Sequence, residues 1–368
     1  MNEFKIAHID TYSAWRGGQR QVLELIKGLK KKGIENVLIC REGSEISTRA
    51  GEADIPVSHL ALRGEWDIAS ALKLRAFIKK EKIKIVHVHT AHAHTIALMA
   101  LWKLIDCKLV VSRRVVFHVH SLFSQKIKYG KSVDKIIAIS DAVRRVLIED
   151  GIDPGKIVTI RSGINLDEYT GSETMKNYRD TLGLPRETVL IVNVAALTEN
   201  KAQSVLLKAA FHVVKKYPDV VFLIAGEGEM RTTIEKDIHN LGLEKSVILL
   251  GFIDDIGRLY NSADIFVITS REEGLCSSIL DALYFKLPVV ATRAGGIPEL
   301  VQDGVNGYIV PVDDYASIAD RLIYLIENKE TRKKMGARST AILDRNTINH
   351  TIEKTIDVYH EVLNHNIV

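Results

Sequence analysis

The residues best equipped for chemistry lie in one stretch, Thr269 to Glu299, TSREEGLCSSILDALYFKLPVVATRAGGIPE. An apolar run, Ile265 to Ile268, meets an acidic pair, Glu272-Glu273, followed by Gly274 and Leu275. A small-residue turn, Cys276-Ser277-Ser278, then opens an apolar helix that carries Asp281 and stops before Pro288. Val289-Val290-Ala291 leads into Gly295-Gly296-Ile297-Pro298-Glu299. The pattern is strand, turn, helix, strand and Gly-rich turn. It puts carboxylates and free backbone N–H groups where strands end and a helix begins, the edge at which open α/β sheets bind ligands. Carboxylates at such an edge accept hydrogen bonds from hydroxyls, and a helix N-terminus attracts an anion.

Other candidates sit at similar turns. Gly17 and Gly18 follow the short apolar run of residues 5–9 and precede a helix expected from about Gln19 to Lys32. Two glycines there let backbone approach a phosphate, although the spacing is not that of a dinucleotide fingerprint. A plain strand-to-helix turn is the ordinary alternative. Lys201 stands at another strand-to-helix turn and suits a diphosphate. Gly226-Glu227-Gly228 closes a buried apolar run, with Arg231 just beyond. Arg113 and Arg114 are adjacent at a strand end, where planar guanidinium groups bind phosphate or carboxylate bidentately. His87, His89, His92 and His94 invite a metal reading. No Cys or carboxylate joins them, and a strand followed by a helix scatters them, so no metal is assigned. His89 and His92 are the pair expected to present donors to a sugar, with buried, satisfied histidines as the alternative.

The long ordered stretch around Glu273 resembles the donor site of the family 4 retaining glycosyltransferases with the GT-B fold. Their pattern is a Glu-Gly turn, a second acid eight positions on, a helix, Pro-Val-Val-Ala-Thr and Gly-Gly-x-Pro-Glu. Asp281 stands where that family usually has Glu, and Ala195-Ala196 where it has Gly-Arg; Leu197 and Lys201 are kept. Where many relatives hold a Thr-His pair, this chain has Ser112-Arg113, with His118 and His120 a few residues later. The resemblance implies an α/β chain of two Rossmann-like parallel-sheet domains facing a cleft. It implies transfer of a sugar from a nucleotide-sugar donor to an acceptor hydroxyl with retention, and no bound metal or other cofactor. On that basis Glu273 and Lys201 are the catalytic candidates. The donor-binding set is Gly17, Gly18, Lys201, Glu227, Arg231, Glu273, Gly274, Leu275, Cys276, Ser277 and Asp281, with Arg231 or Arg271 taking over from the missing family arginine. The acceptor-binding set is His89, His92, Arg113 and Arg114. The resemblance also admits two rivals, a nucleotide-sugar 2-epimerase of the same fold and a non-catalytic binding module.

The bulk properties agree with this class. A chain of 368 residues exceeds what one core usually supports. No apolar run approaches a membrane span, and the N-terminus lacks the layout of a signal peptide. Three scattered cysteines give no disulfide framework or zinc site. The expected setting is the cytoplasm. Net charge is +4, but residues 1–170 hold 28 Lys and Arg against 19 Asp and Glu. That basic half suits an anionic glycan or glycolipid acceptor, such as a lipopolysaccharide-type anion, or the inner face of an anionic membrane. A solvated basic face without a partner is the alternative. The basic residues match no nucleic-acid module.

The elements that position these residues alternate between strand and helix throughout, which predicts a parallel sheet in each half. Expected domains are residues 1–166 for the acceptor and 180–350 for the donor, with a polar linker near 167–180. The final helix, residues 355–368, is expected to pack back on the first domain.

Overall fold

The computed structural model of the chain describes residues 4–104, 106–118, 125, 127–170 and 177–364. It divides into two compact units, Met1–Gly163 with Thr347–Val368, and Ile164–Asn346.

The first unit is built on a seven-stranded parallel sheet in the order β3-β2-β1-β4-β5-β6-β7. The strands are β1 (Lys5–Ile9), β2 (Glu35–Cys40), β3 (Val57–His59), β4 (Ile85–Val88), β5 (Lys108–Arg113), β6 (Lys135–Ala138) and β7 (Ile157–Thr159). The inner strands are short apolar runs buried on both faces, as parallel strands covered by helices must be. The principal helices are α1 (Gly17–Lys31), α2 (Glu45–Glu52), α3 (Ile68–Lys80), α4 (Ala91–Leu101) and α5 (Asp141–Glu149). Helix α1 starts two residues earlier than the apolar spacing suggests, because Gly17 and Gly18 themselves adopt helical backbone.

The second unit holds a six-stranded parallel sheet in the order β10-β9-β8-β11-β12-β13. Its strands are β8 (Leu190–Val194), β9 (Val221–Ala225), β10 (Val247–Gly251), β11 (Ile265–Ile268), β12 (Val289–Thr292) and β13 (Gly307–Val310). The helices used below are α6 (Gln203–Lys216), α7 (Arg231–Asn240), α8 (Ile256–Ser262), α9 (Ser277–Tyr284), α10 (Tyr315–Glu327) and α11 (Lys329–Ala337). The last helix, α12 (Ile348–Asn364), belongs to the first unit, where Ile348, Ile352, Val358 and Val362 join a core with Leu25, Leu29 and Ile85. Residues 365–368 of the expected final helix lie outside the described residues. Gly28 of α1 makes this packing possible: a Cβ there would sit 2.0 Å from Ile352 Cδ1.

Each sheet reverses its winding once, between β1 and β4 in the first unit and between β8 and β11 in the second. Such switch points open a crevice at the carboxyl ends of the strands. The helix caps sort by position around the second of these. Helices α8 and α10 follow outer strands and carry side-chain caps, with Asp255 and Asp314 accepting from Arg258 N and Ser317 N. Helices α6, α7 and α9 follow the central strands β8, β9 and β11 and have no side-chain cap. Their first N–H groups lack the partner that a capping oxygen supplies elsewhere.

Candidate active site

At the switch point of the second unit, the loop after β8 and the loop after β11 are bound together. Thr269, at the end of β11, donates its hydroxyl to Lys201 O at 3.0 Å and Ala202 O at 3.1 Å. Arg271 N donates to Asn200 O at 2.8 Å, and Asn200 Nδ2 donates back to Glu272 O at 2.9 Å. This clamp sets the Lys201 ammonium on Glu273 Oε1. Ser270 Oγ donates to the same oxygen at 2.7 Å. Glu273 is buried, and among the described residues none bonds its Oε2. The carboxylate is thus held by one oxygen and keeps the other as an acceptor.

The glycines of this region serve the backbone. A Cβ on Gly295 would lie 1.8 Å from Glu273 O, and its φ of +47° is a left-handed value that favours glycine. Gly296 N donates to Glu273 O at 3.1 Å. The Gly-Gly turn after β12 is therefore a seat for the Glu273 backbone. Gly226 and Gly228 do the same for the loop after β8, where added Cβ atoms would fall 1.9 Å from Ala195 O and 2.2 Å from Leu197 O. Leu197 N donates to Glu227 O, and Met230 N to Leu197 O, each at 3.0 Å.

Two helices of the site begin on left-handed residues that are not glycine, Ala202 (φ 50°, ψ 44°) before α6 and Cys276 (φ 71°, ψ 77°) before α9. Non-glycine residues hold such backbone only where their surroundings impose it, and it clusters at functional sites. Gly274, Leu275, Cys276 and Ser277 form the turn from Glu273 into α9. Leu275 and Cys276 are buried. Burial, and then the Glu273 charge, push the Cys276 thiol up to about 12, so it stays protonated and inert. Asp281 is buried on α9, one turn past Ser277.

The two arginines proposed from sequence as replacements for the family's clamp are turned to carboxylates. Arg231 pairs with Glu227 and, at 2.9 Å, with Glu235. Arg271 pairs with Asp313 at 2.9 and 3.1 Å. Lys201 is the cation that this loop geometry delivers to the Glu273 carboxylate.

The first unit has its own switch-point cluster. Gly17 and Gly18 open α1, whose preceding residue, Arg16, is extended and gives no side-chain cap. Asp10, at the end of β1, is fully buried. It accepts from Tyr12 N at 2.9 Å and from Gln19 Nε2 at 3.1 and 3.3 Å. Burial raises its carboxyl above the usual range against those bonds and the Arg114 charge. Arg114 lies beside the same turn, its Cδ 3.8 Å from where a Cβ on Gly18 would be. Burial lowers its guanidinium to about 10, with Asp10 opposing the shift. Asp10 and Gln19 were not singled out from sequence. The one signal for them was their place at the end of β1 and in the first turn of α1.

The histidines correct the sequence expectation. His89 is buried and its Nε2 lies 3.1 Å from His8 Nδ1, so it joins an internal network instead of presenting itself to a sugar. His92 is exposed in the first turn of α4. His87 bonds Tyr359 Oη at 2.6 Å and Ser112 Oγ at 2.8 Å. His8, His87 and His89 bring ligand-capable nitrogens within 4.8 Å. The hydrogen bonds of His87 occupy both its nitrogens, which favours the network over a metal. Arg113 donates from Nη2 to Phe117 O at 2.5 Å. His118 sits on Asp150 at 2.8 Å, and His120 lies outside the described residues.

The chain is similar to known proteins in sequence and fold. The family model Glycosyl transferases group 1 matches residues 174–341, and Glycosyltransferase Family 4 matches residues 15–168. Over 98% of both chains the sequence is 24% identical to the UDP-Gal:alpha-D-GlcNAc-diphosphoundecaprenol alpha-1,3-galactosyltransferase of Escherichia coli. Among solved structures, a glycosyltransferase from Rickettsia africae aligns with a TM-score of 0.86 at 22% identity over 99% of each chain. Anabaena HepE in complex with UDP-glucose aligns with a TM-score of 0.87 at 20% identity, over 98% of this chain and 100% of that one. Two Rossmann-like parallel-sheet units with these neighbours define the GT-B fold. The chain belongs to the group 1, family 4-like branch of the glycosyltransferases with that fold.

Proposed function

We propose that this glycosyltransferase moves a sugar from a nucleotide-diphosphate sugar to a hydroxyl of a cell-envelope glycan or glycolipid, with retention at the anomeric carbon and without a metal ion. The observation that carries the donor assignment is the Lys201–Glu273 pair at the β8/β11 switch point, beside the uncapped helices α6 and α9. A uridine diphosphate donor is the first to test, because the Escherichia coli relative is named for UDP-Gal and the Anabaena structure holds UDP-glucose. The envelope acceptor follows the same relative, whose named acceptor is a lipid diphosphate.

In this mechanism the bond between the anomeric carbon and the phosphate oxygen breaks, and its electron pair leaves with the diphosphate. Lys201 and the N–H groups at the start of α9 stabilise that charge, a preorganised electrostatic effect that is usually the largest catalytic term. Glu273 Oε2 accepts hydrogen bonds from the sugar hydroxyls, and Asp281 holds the ribose. The acceptor oxygen attacks on the face the diphosphate leaves, and its proton passes to the departing phosphate oxygen. His92, Arg113 and Arg114 are assigned to the acceptor, Arg114 with Gly17 and Gly18 on an anionic group. The basic first unit would meet a lipid-linked acceptor at an anionic membrane.

The test is a panel of UDP-, GDP- and ADP-sugars, read by thermal stabilisation and by nucleotide release with and without a cell-envelope lipid extract. The reading predicts a donor consumed only with acceptor, undiminished turnover in EDTA, and a product with the donor's anomeric configuration by NMR. Conversion of the donor to an isomer without acceptor would identify an epimerase. Binding with no release under any acceptor would identify a binding module.

A further inference from the structure

The most exposed large apolar side chains of the described residues gather at one place in the first unit. Trp66 is 69% exposed, Ile68 65%, Leu72 63% and Trp102 73%. Ile68 and Leu72 are one turn apart on α3 and so share a face. Trp66 leads into that helix, its carbonyl accepting from Ile68 N at 2.9 Å. Trp102 ends α4, and Arg75 of α3 fixes it alongside, donating from Nη1 to Ala100 O at 2.9 Å and Trp102 O at 2.7 Å. Helical rise sets the Ile68 and Arg75 levels about 10 Å apart, with Trp66 just before the first turn. The two tryptophans therefore bracket a strip of aliphatic surface. Isolated exposed apolar residues need no explanation, but a cluster of this kind marks an interaction surface.

The charge around the strip selects its partner. Residues 68–84 contain Lys73, Arg75, Lys79, Lys80, Lys82 and Lys84 against the single acid Glu81, which Lys5 engages at 2.8 Å. Lys73, Lys79 and Lys80 are exposed on α3. The neighbouring acids are committed elsewhere: Asp67 caps α3 through Ser70 N at 3.0 Å, and Glu65 pairs with Lys128. Beside Trp102 a groove of about 200 Å³ adds Lys103 and Lys131 to Leu98 and Leu101, while its Lys108 is paired with its one acid, Asp134, at 3.3 Å. Tryptophan and aliphatic side chains ringed by lysines match the headgroup boundary of an anionic bilayer, where aromatic rings seat, aliphatic groups insert and lysines meet phosphates. A second copy docked by the same face would bring two lysine-rich surfaces together, which disfavours a two-fold dimer.

We infer that the α3 face bearing Trp66, Ile68 and Leu72, with Trp102 beside it, docks the chain on the surface of an anionic lipid bilayer. It lies flat on the lipid; no helix among the described residues is long and apolar enough to cross it. This deepens the membrane-acceptor reading above by naming the docking surface. Vesicle binding is read without turnover, so a failure here and a failure of the proposed reaction are distinguishable.

The experiment is co-sedimentation of the full chain with vesicles of phosphatidylcholine alone or mixed with phosphatidylglycerol, at two salt concentrations. The expected result is at least tenfold tighter binding to the anionic vesicles, weakened by salt, with a blue shift in tryptophan fluorescence. Lys73→Glu, Lys79→Glu and Lys80→Glu together are expected to weaken anionic-vesicle binding about a hundredfold, roughly fivefold for each lysine lost. Trp66→Ser with Leu72→Ser is expected to weaken it about tenfold and reduce the blue shift to the part that Trp102 contributes, with an unchanged melting temperature. Equal binding to both vesicle types, no binding, or variants that bind like the parent would overturn the inference. So would a lipid-free dimer that Leu72→Ser dissociates, since that would assign the face to self-association.

Discussion

Lys201 and Glu273, 72 residues apart in the chain, form a part-buried ion pair that ties the loop after β8 to the loop after β11. In the proposed function, a diphosphate arriving at this site would compete with Glu273 for the ammonium, and the sugar would compete with Lys201 for the carboxylate. The two side chains should therefore act as a unit. Lys201→Ala is expected to lower kcat/KM by about 10²–10³, the loss typical of removing one preorganised charge-stabilising donor. Glu273→Gln should give a loss of similar order. The double variant should lose less than the product of the two, with a coupling of about 1–3 kcal/mol. Kinetics of nucleotide release for all four proteins check this; strict additivity would separate the two roles.

The seat under Glu273 gives a second prediction. Gly295→Ala meets both a left-handed φ and a carbonyl 1.8 Å from the new Cβ. The Glu273 backbone must move or the turn must break. We expect a stability loss of about 1–3 kcal/mol, the range of strain at special backbone positions, and a fall in kcat larger than the fall in donor affinity. Gly304→Ala is the control. It has a φ of +72° but open space around its Cβ, so it should cost stability alone. A Gly295→Ala protein that melts and turns over like the parent would refute the seat.

Ala202 offers the opposite test. Its left-handed backbone is one that glycine adopts without the Cβ penalty. Ala202→Gly should raise stability by about 0.5–1 kcal/mol, the released strain exceeding the added entropy of the unfolded chain. Denaturant midpoints at unchanged slope measure it. A lower midpoint would show that the buried methyl contributes more than the strain costs.

The buried histidines of the first unit predict acid sensitivity. Burial lowers His8 and His94 from 6.5 to about 3, and His87 and His89 well below 6.5. A folded-state value below the unfolded one means that the unfolded chain binds the extra proton between pH 6.5 and 3. Stability is then complete above pH 6.5 and falls as the pH drops through that window. The slope has an upper bound of about 1.4 kcal/mol per pH unit for each histidine. Melting temperature against pH in the parent and in His94→Gln should show a flatter acid limb in the variant. Equal limbs would mean that His94 titrates normally.

The network around His87 also ties the last helix to the sheet. Tyr359→Phe removes the hydroxyl 2.6 Å from His87 Nδ1 and leaves a buried ring nitrogen without its partner. The expected cost is about 1–3 kcal/mol of stability. Hydrogen exchange should locate the loosening in α12 and β4.

The sequence by itself determined the alternation of strand and helix, the two-sheet class, and the importance of the stretch from Glu273 to Glu299. Those features are local: apolar runs of strand length, Gly and Pro at turns, and acids placed where a helix starts. It also marked Lys201, through the family resemblance, as a candidate diphosphate partner. Tertiary structure decided what local pattern does not encode. Gly295 and Gly296 read as a ligand turn, yet they seat the Glu273 backbone, because β11 and β12 lie side by side. His89 read as an open donor, yet parallel pairing of β1 with β4 sets His8 against His87 and brings His89 onto His8, burying all three. Arg231 and Arg271 read as phosphate clamps, yet each faces acids: Glu227 and Glu235, four residues away on either side and so legible in the sequence, and Asp313, 42 residues on, which only the fold brings near. Asp10 and Gln19 looked ordinary in sequence, and the switch point of the first sheet is what places them with Arg114. Residue type and spacing reveal what a segment can do alone. Which groups meet, and which are already satisfied when a ligand arrives, follows from strand order and close packing.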